Sequence, residues 1–158
     1  MSFDASTVEV RHLAEPDIDA LIEIGESLAE APRWSREQYV DALRLGSARR
    51  RVSLVACNGR SGEVVGFAVA GLVPPEAELE SIAVARDAQR HGLGRQLLIA
   101  LVGELTHAGV EELLLEVRAS NVIAIRFYEA QNFKQTGVRA RYYADPEEDA
   151  VLMALQIT

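Results

Sequence analysis

Strand-like and helix-like segments interleave along the chain in the order β-α-α-β-β-β-α-β-α-β-β, which predicts an α/β layered domain built on a mixed sheet. Three observations carry that expectation. Alternating apolar residues bounded by turn residues mark the strands, while apolar residues three and four apart mark the helices. The segment from 78 to 131 reads β-α-β-α, so a ligand site belongs at its strand-to-helix crossovers, where helix N-termini and strand ends present backbone groups. No repeat, low-complexity tract or linker divides the 158 residues, which suffice for one hydrophobic core; a single domain over 1–158 is expected.

The elements follow in order. Val8–His12 alternates as a short strand. Pro16–Ala29 carries Ile18, Leu21, Ile22 and Leu28 behind an early proline, a helical pattern. Ser35-Arg36-Glu37-Gln38 is a capping box for a second helix running to Leu45, with Gly46 as its stop. Arg51–Asn58 and Val64–Val73 flank the turn residues Asn58-Gly59 and Ser61-Gly62, a hairpin signal. Pro74-Pro75 ends the second of these strands, and Glu78–Val84 restarts an extended run. Gly94–Ala108 sets Leu97, Leu98, Leu101, Val102 and Leu105 along one face and is closed by Gly109. Leu113–Val117 is a short apolar strand. Asn121 would cap a helix to Gln131, and Phe133–Arg141 and Ala150–Ile157 would pair across the polar turn Asp145–Asp149.

Composition narrows the function classes. Hydrophobic residues at 49% and charged residues at 25% suit a soluble globular domain. The longest apolar stretch, Leu97–Leu105, is too short to span a bilayer and contains Glu104, so no membrane association is expected. Met1-Ser2-Phe3-Asp4 has neither the basic start nor the apolar run of a secretory signal. The lone Cys57 cannot form an internal disulfide and fits a reducing cytoplasm; in a predicted strand it reads as a small core residue. A net charge of −8 would repel nucleic acid and favour cationic partners. His12, His91 and His107 lack metal-ligand spacing, so no metal is expected. A monomer or weak dimer is anticipated.

The most informative segment is Ile82-Ala83-Val84-Ala85-Arg86-Asp87-Ala88-Gln89-Arg90-His91-Gly92-Leu93-Gly94-Arg95. A strand ends, a loop rich in Arg and Gly follows, and a strong helix begins at once. The first N–H groups of a helix have no intrahelical partner and carry partial positive charge. Gly92 and Gly94 would let that backbone approach an anion, and Arg90 and Arg95 add charge suited to phosphate oxygens. The Gly-Lys-Ser/Thr ending of a Walker loop is missing, and Leu97 stands where a dinucleotide fingerprint needs its third glycine. Taken alone, Gly-x-Gly before a helix fits either an anion cradle or a structural loop.

Gln89-Arg90-His91-Gly92-Leu93-Gly94 resembles the Q/R-x-x-G-x-G/A motif of the GNAT acetyltransferase superfamily, in its place between strand and helix. Leu115-Glu116-Val117-Arg118-Ala119-Ser120-Asn121, followed by Ala124-Ile125 and Phe127-Tyr128-Glu129, is similar to the L-E-V-R-A-S-N…A-I-x-x-Y-E signature of its ribosomal-protein alanine N-acetyltransferase (RimI) branch. Arg141-Tyr142-Tyr143, Glu148-Asp149-Ala150-Val151 with Met153, and Pro32-Arg33-Trp34-Ser35 resemble further segments of that branch. Strong similarity covers residues 80–155, whereas the first 75 residues match mainly in element order. The resemblance implies a mixed, mostly antiparallel sheet of about seven strands flanked by about four helices. It also implies acetyl-CoA as acetyl donor. Ile82, Ala83 and Val84 would offer backbone groups to its pantetheine arm. Arg90, His91, Gly92, Leu93, Gly94 and Arg95 would hold its pyrophosphate, and Asn121 would contact it.

The chemistry can be weighed residue by residue. No Ser–His–Asp set or activated Cys is apparent, so direct attack by the acceptor amine in a ternary complex is the simplest scheme. Glu116 ends an apolar strand, where burial would make its carboxylate a better base. The resemblance makes it the proton acceptor and makes Tyr128 the proton donor to the leaving thiolate, a transfer from a phenol of pKa ~10 to a thiol of pKa ~8.5. Read without the family, Glu116 could be half of a salt bridge with Arg118, Tyr128 ordinary core and Asn121 only a cap. Glu78 and Glu80 are rival bases, since other branches use a carboxylate on the strand before the phosphate loop. His91 fits either a phosphate contact or solvent, and Trp34 an anchor for the second helix.

For the acceptor, an α-amine of pKa ~7.7–8.0 offers roughly a hundredfold more neutral nucleophile at pH 7 than a lysine of pKa ~10.4. A protein or peptide N-terminus, such as that of a basic ribosomal protein, is therefore expected. Tyr142 and Tyr143 resemble residues that grip the first peptide units, or could pack the sheet edge. Ser81 departs from the Asn common in the RimI branch and, with the divergent first half, leaves open a lysine, polyamine or other small-molecule amine. An acetyl-CoA-binding module without catalysis would need neither Glu116 nor Tyr128.

Overall fold

A computed structural model describes residues 7–29, 34–43 and 50–157. The elements are β1 (Val8–His12), α1 (Ile18–Ser27), α2 (Arg36–Leu43), β2 (Arg50–Asn58), β3 (Val64–Val73), β4 (Glu76–Val84), α3 (Leu93–His107), β5 (Glu112–Arg118), α4 (Val122–Ala130), β6 (Lys134–Tyr143) and β7 (Glu148–Gln156). The strands form one seven-stranded sheet in the order β1-β2-β3-β4-β5-β7-β6. Every neighbouring pair is antiparallel except β4 and β5. The α/β sheet-and-helix architecture expected from the sequence is the one observed.

Local chemistry explains most boundaries. The Ser35 box closes in both directions: Gln38 N–H donates to Ser35 Oγ at 3.2 Å, and Ser35 N–H donates to Gln38 Oε1 at 2.8 Å. Trp34 anchors this helix as expected, its ring 5.3 Å from Tyr39, which meets Phe67 edge-on at 5.8 Å. The expected end at Leu45 and Gly46, and Pro32 and Arg33 of the family-like segment, lie outside the described residues. Pro16 opens no α-helix directly. It sits in a 3-10 turn, Glu15–Asp17, and α1 starts at Ile18. The last hairpin is tighter than its polar residues suggested, since β6 runs to Tyr143 and β7 resumes at Glu148.

The two faces of the sheet carry two cores. In β2, Leu54 and Ala56 pack toward α3 with Leu97, Leu101 and Leu105, while Val55 and Cys57 pack toward α1 and α2 with Leu21, Tyr39 and Phe67. Cys57 is buried, which raises its thiol pKa and fits a core role.

Asp17 ties the N-terminal strand to α1. Its carboxylate accepts two bonds from Arg11, at 2.7 and 2.8 Å, and one from Ala14 N–H at 2.8 Å. The Arg11 hydrogen bond, ahead of opposing burial, holds this carboxyl below its usual pKa. A depressed carboxyl contributes stability that is present above its unfolded pKa of ~3.9 and lost as pH falls through the lower folded value. Asp17→Asn is therefore expected to destabilise the fold by ~1.5–3 kcal/mol at pH 7. In urea unfolding, its gap from wild type should close as the pH drops below about 4.

Candidate active site

The one parallel contact of the sheet is also its shortest. β4 and β5 are in register only at Glu76–Glu112, Ala77–Leu113 and Glu78–Leu114, yet β4 continues to Val84 and β5 to Arg118. Glu80 is the extra residue of a bulge in β4 against β3, where Val69 faces Ser81 and Ala70 faces Leu79. Bulges bend a strand and strengthen its twist. Beyond the third pair the two strands diverge, leaving a wedge between them.

Alternation decides which backbone groups line that wedge. Ala85 N–H donates to Val65 O, and Ala83 O lies beside Gly66, so Ala83 is engaged with β3. Ile82 and Val84 therefore turn their N–H and C=O groups toward β5. The Val84 carbonyl already accepts a bond from Gln89 Nε2 at 3.0 Å. On β5, Ala119 N–H donates to Asp149 O, which leaves the backbone of Glu116 and Arg118 facing the wedge. Of the three residues expected to offer backbone groups to pantetheine, Ile82 and Val84 turn theirs toward the wedge, whereas the Ala83 backbone is taken up by the sheet.

The loop after β4 ends at the start of α3. The first helical bond runs from Gln96 N–H to Gly92 O, so Leu93, Gly94 and Arg95 direct N–H groups out of the helix end. Leu93 can contribute only its backbone, because its side chain is 1% exposed. Arg90, His91 and Arg95 are exposed around this end. Gly92 needs its freedom, with φ of 77°, and Arg90 shares that left-handed backbone at 66°. Gly94 also has a packing role: an added Cβ would meet the Phe127 ring at 3.2 and 3.3 Å, so its small size seats α3 against α4. Gly92→Ala is expected to weaken acetyl-CoA binding about 5- to 30-fold, the effect of the ~1–2 kcal/mol strain of a left-handed L-residue, read by titration calorimetry.

A cavity of about 270 Å³ opens at the β4–β5 junction. Glu76, Glu78 and Glu116 line it with Arg139, Leu114 and Leu152. Glu116 sits where β5 leaves β4, its backbone on the wedge and its carboxylate in the cavity. That carboxylate pairs with Arg139 Nη1 at 3.4 Å and accepts a hydrogen bond from the Tyr142 hydroxyl, which raises the Tyr142 pKa. Its side chain is 22% exposed. Glu80 is held elsewhere, accepting from Arg51 Nε at 2.7 Å, while Arg51 also reaches Asp41 of α2 at 2.7 Å. Of the three carboxylates considered from the sequence, Glu78 and Glu116 reach the cavity and Glu80 joins the Arg51 pair.

Arg118 does not pair with Glu116. It donates to Pro146 O, Ala144 O and Glu148 at 3.1–3.3 Å, and its guanidinium lies 4.4 Å from the Tyr143 ring centre. Glu148 in turn accepts from Ser120 N–H, and its carboxyl is held below its usual pKa chiefly by the Ser120 side chain. This staple fixes the β6–β7 hairpin beside Glu116, with the Tyr142 and Tyr143 rings 5.1 Å apart. Arg139 and the Arg118–Glu148 staple were missed from sequence, because which charges meet depends on strand pairing that no local pattern encodes. Tyr128 is buried between Phe127 and Phe133, each 5.4 Å away. Burial, with a smaller effect of Tyr143, pushes its pKa up to about 12. Asn121 caps α4, its Oδ1 accepting from Ala124 N–H at 3.2 Å.

The sequence matches the GNAT acetyltransferase family over residues 19–133. The chain belongs to that family. This GNAT acetyltransferase is 40% identical over 151 residues to the ribosomal protein bS18-alanine N-acetyltransferase of Escherichia coli (strain K12), covering 94% of this chain and 97% of the relative. The crystal structure of the ribosomal-protein-S18-alanine N-acetyltransferase from Escherichia coli superposes with a TM-score of 0.78 at 37% identity, over 96% of this chain and 94% of that one. Ard1 from Thermoplasma volcanium gives a TM-score of 0.82 at 26% identity, over 96% and 99%. GNAT enzymes take acetyl-CoA as donor, and the diverging strands and the uncapped helix start of this chain suit its extended amide arm and its phosphates. The expected family and enzyme class are thereby established.

Proposed function

We propose that this enzyme acetylates the α-amine of a protein N-terminus beginning with alanine, by direct attack on acetyl-CoA in a ternary complex. The observation that carries this reading is the position of Glu116, which joins the wedge to the acidic cavity. A donor held in the wedge and an acceptor entering from the cavity meet at this residue. The names of the similar enzymes support alanine, and a net charge of −8 with three glutamates lining the cavity suits a basic ribosomal-protein N-terminus in the cytoplasm.

Acetyl-CoA supplies an activated acyl group on sulfur. Ile82 and Val84 hold its amide arm by backbone hydrogen bonds, while the α3 start, with Arg90, His91 and Arg95, holds its phosphates. Glu116 accepts the proton that the amine loses as the C–N bond forms, directly or through water, with Glu78 on the same cavity wall adding negative charge. Tyr142 and Tyr143 flank the arriving peptide. Tyr128 faces the departing sulfur. At a pKa of about 12, complete proton transfer from Tyr128 to a thiolate of pKa ~8.5 would run roughly 5 kcal/mol uphill. Its main contribution is therefore a hydrogen bond that disperses the developing charge, and the freed thiolate takes its proton from solvent.

Two lysine-containing peptides test the acceptor class, one with a free alanine α-amine and one with that amine blocked. Mass spectrometry is expected to find acetyl only on the free N-terminus. Acetyl on lysine in both peptides would move the substrate class while leaving the family intact.

A further inference from the structure

The cavity beside Glu116 already holds a cation. Among the described residues that line it, Arg139 is the sole basic one, together with Glu76 and Glu78 of β4 and Glu116 of β5. Its hold is slight: one ion-pair contact of 3.4 Å to Glu116 and a ring contact with Tyr142 at 5.0 Å, with the side chain 54% exposed. The β6–β7 register breaks between Arg139 and Tyr143, so Arg139 is the last paired residue of β6 before the bulge. Arg118, the other cation near Glu116, is committed to the hairpin through Ala144, Pro146 and Glu148. Tyr142 and Tyr143 are the remaining titratable groups on β6 that face this carboxylate.

We propose that Arg139 is a place-holder for the acceptor: its guanidinium occupies the seat of the incoming ammonium on Glu116 and must swing away for the peptide to bind. This rests on the reading of Glu116 as the residue that receives the amine. A long, half-exposed ion pair is easily exchanged for another cation. The exchange keeps Glu116 compensated at each stage, first by Arg139 and then by the substrate ammonium, so the carboxylate is never left beside two other glutamates without a counter-charge. Arg139 is then a residue whose removal tightens the acceptor rather than loosening it.

The test compares wild type, Arg139→Gln and Arg141→Gln on an uncharged-side-chain peptide with a free alanine N-terminus, at saturating acetyl-CoA. Arg141 lies two residues along the same strand and pairs with Glu147, so its loss controls for bulk charge. Arg139→Gln is expected to lower the peptide KM about two- to fivefold, the loss of a weakly held competitor, while Arg141→Gln leaves it unchanged. Guanidinium chloride, against sodium chloride of equal strength, should raise the KM of Arg139→Gln back toward wild type. A KM that is unchanged or higher in Arg139→Gln, with acetyl-CoA affinity intact, overturns the place-holder role alone. Wild-type enzyme that never acetylates the peptide overturns the parent reading and this one with it.

Discussion

Glu116→Gln is expected to lower kcat by about 10²–10⁴, the usual contribution of a positioned general base. Gln keeps the shape of the side chain and can still accept from Tyr142, but it cannot take a proton. The substitution removes only one half-exposed ion pair, worth at most ~1 kcal/mol, so the melting temperature should barely move. Acetyl-CoA affinity should also persist, because the wedge is met by the backbone of Glu116 and not by its carboxylate. The residual rate should climb between pH 7 and 8, since only amines already neutral can attack and an α-amine titrates at ~7.7–8.0. A loss smaller than tenfold would transfer the base role to Glu78, the other carboxylate on this cavity wall considered from the sequence, and Glu78→Gln would then carry the large effect.

Tyr128→Phe is expected to reduce kcat by about 10²–10³, the range for removing one well-placed donor to developing charge. The ring packs between Phe127 and Phe133, and Phe preserves that contact, so stability and acetyl-CoA affinity should stay close to wild type. The raised pKa adds a second, independent expectation. Because Tyr128 titrates near 12, its phenol stays protonated throughout ordinary assay conditions, and the kcat profile should show no basic limb from this residue below pH 10. A basic limb near pH 9 that disappears in Tyr128→Phe would mean that bound acetyl-CoA reverses the effect of burial, restoring an acid strong enough for early proton transfer.

Much of the fold was legible because it is written in local signals. The Ser35 box, the α3 stripe Leu97, Leu101 and Leu105, and the Asn121 cap each act within one turn or one helix face, and each appears where the sequence placed it. The Glu116, Tyr128 and phosphate-loop assignments came from motifs that resemble a family, since neither composition nor periodicity singles out one glutamate among many. Boundaries were less legible. Pro16 was compatible with the first turn of an α-helix, and the Asp17 contacts with Arg11 and Ala14, six and three residues away, accompany a 3-10 turn instead.

The sequence by itself determined the element order, the single buried cysteine, the acidic balance and the loop whose glycines precede α3. Those features depend on neighbours in the chain or on counts. Tertiary structure alone decided that Gly94 makes room for Phe127, that Arg118 belongs to the hairpin while Arg139 faces Glu116, and that Glu80 joins Arg51. It also decided that β4 and β5 part after three pairs, because the bulge of β4 against β3 and the twist of the sheet become visible only when the strands are laid side by side. Such partnerships join residues distant in sequence, and no local propensity encodes which of several equivalent charges will meet.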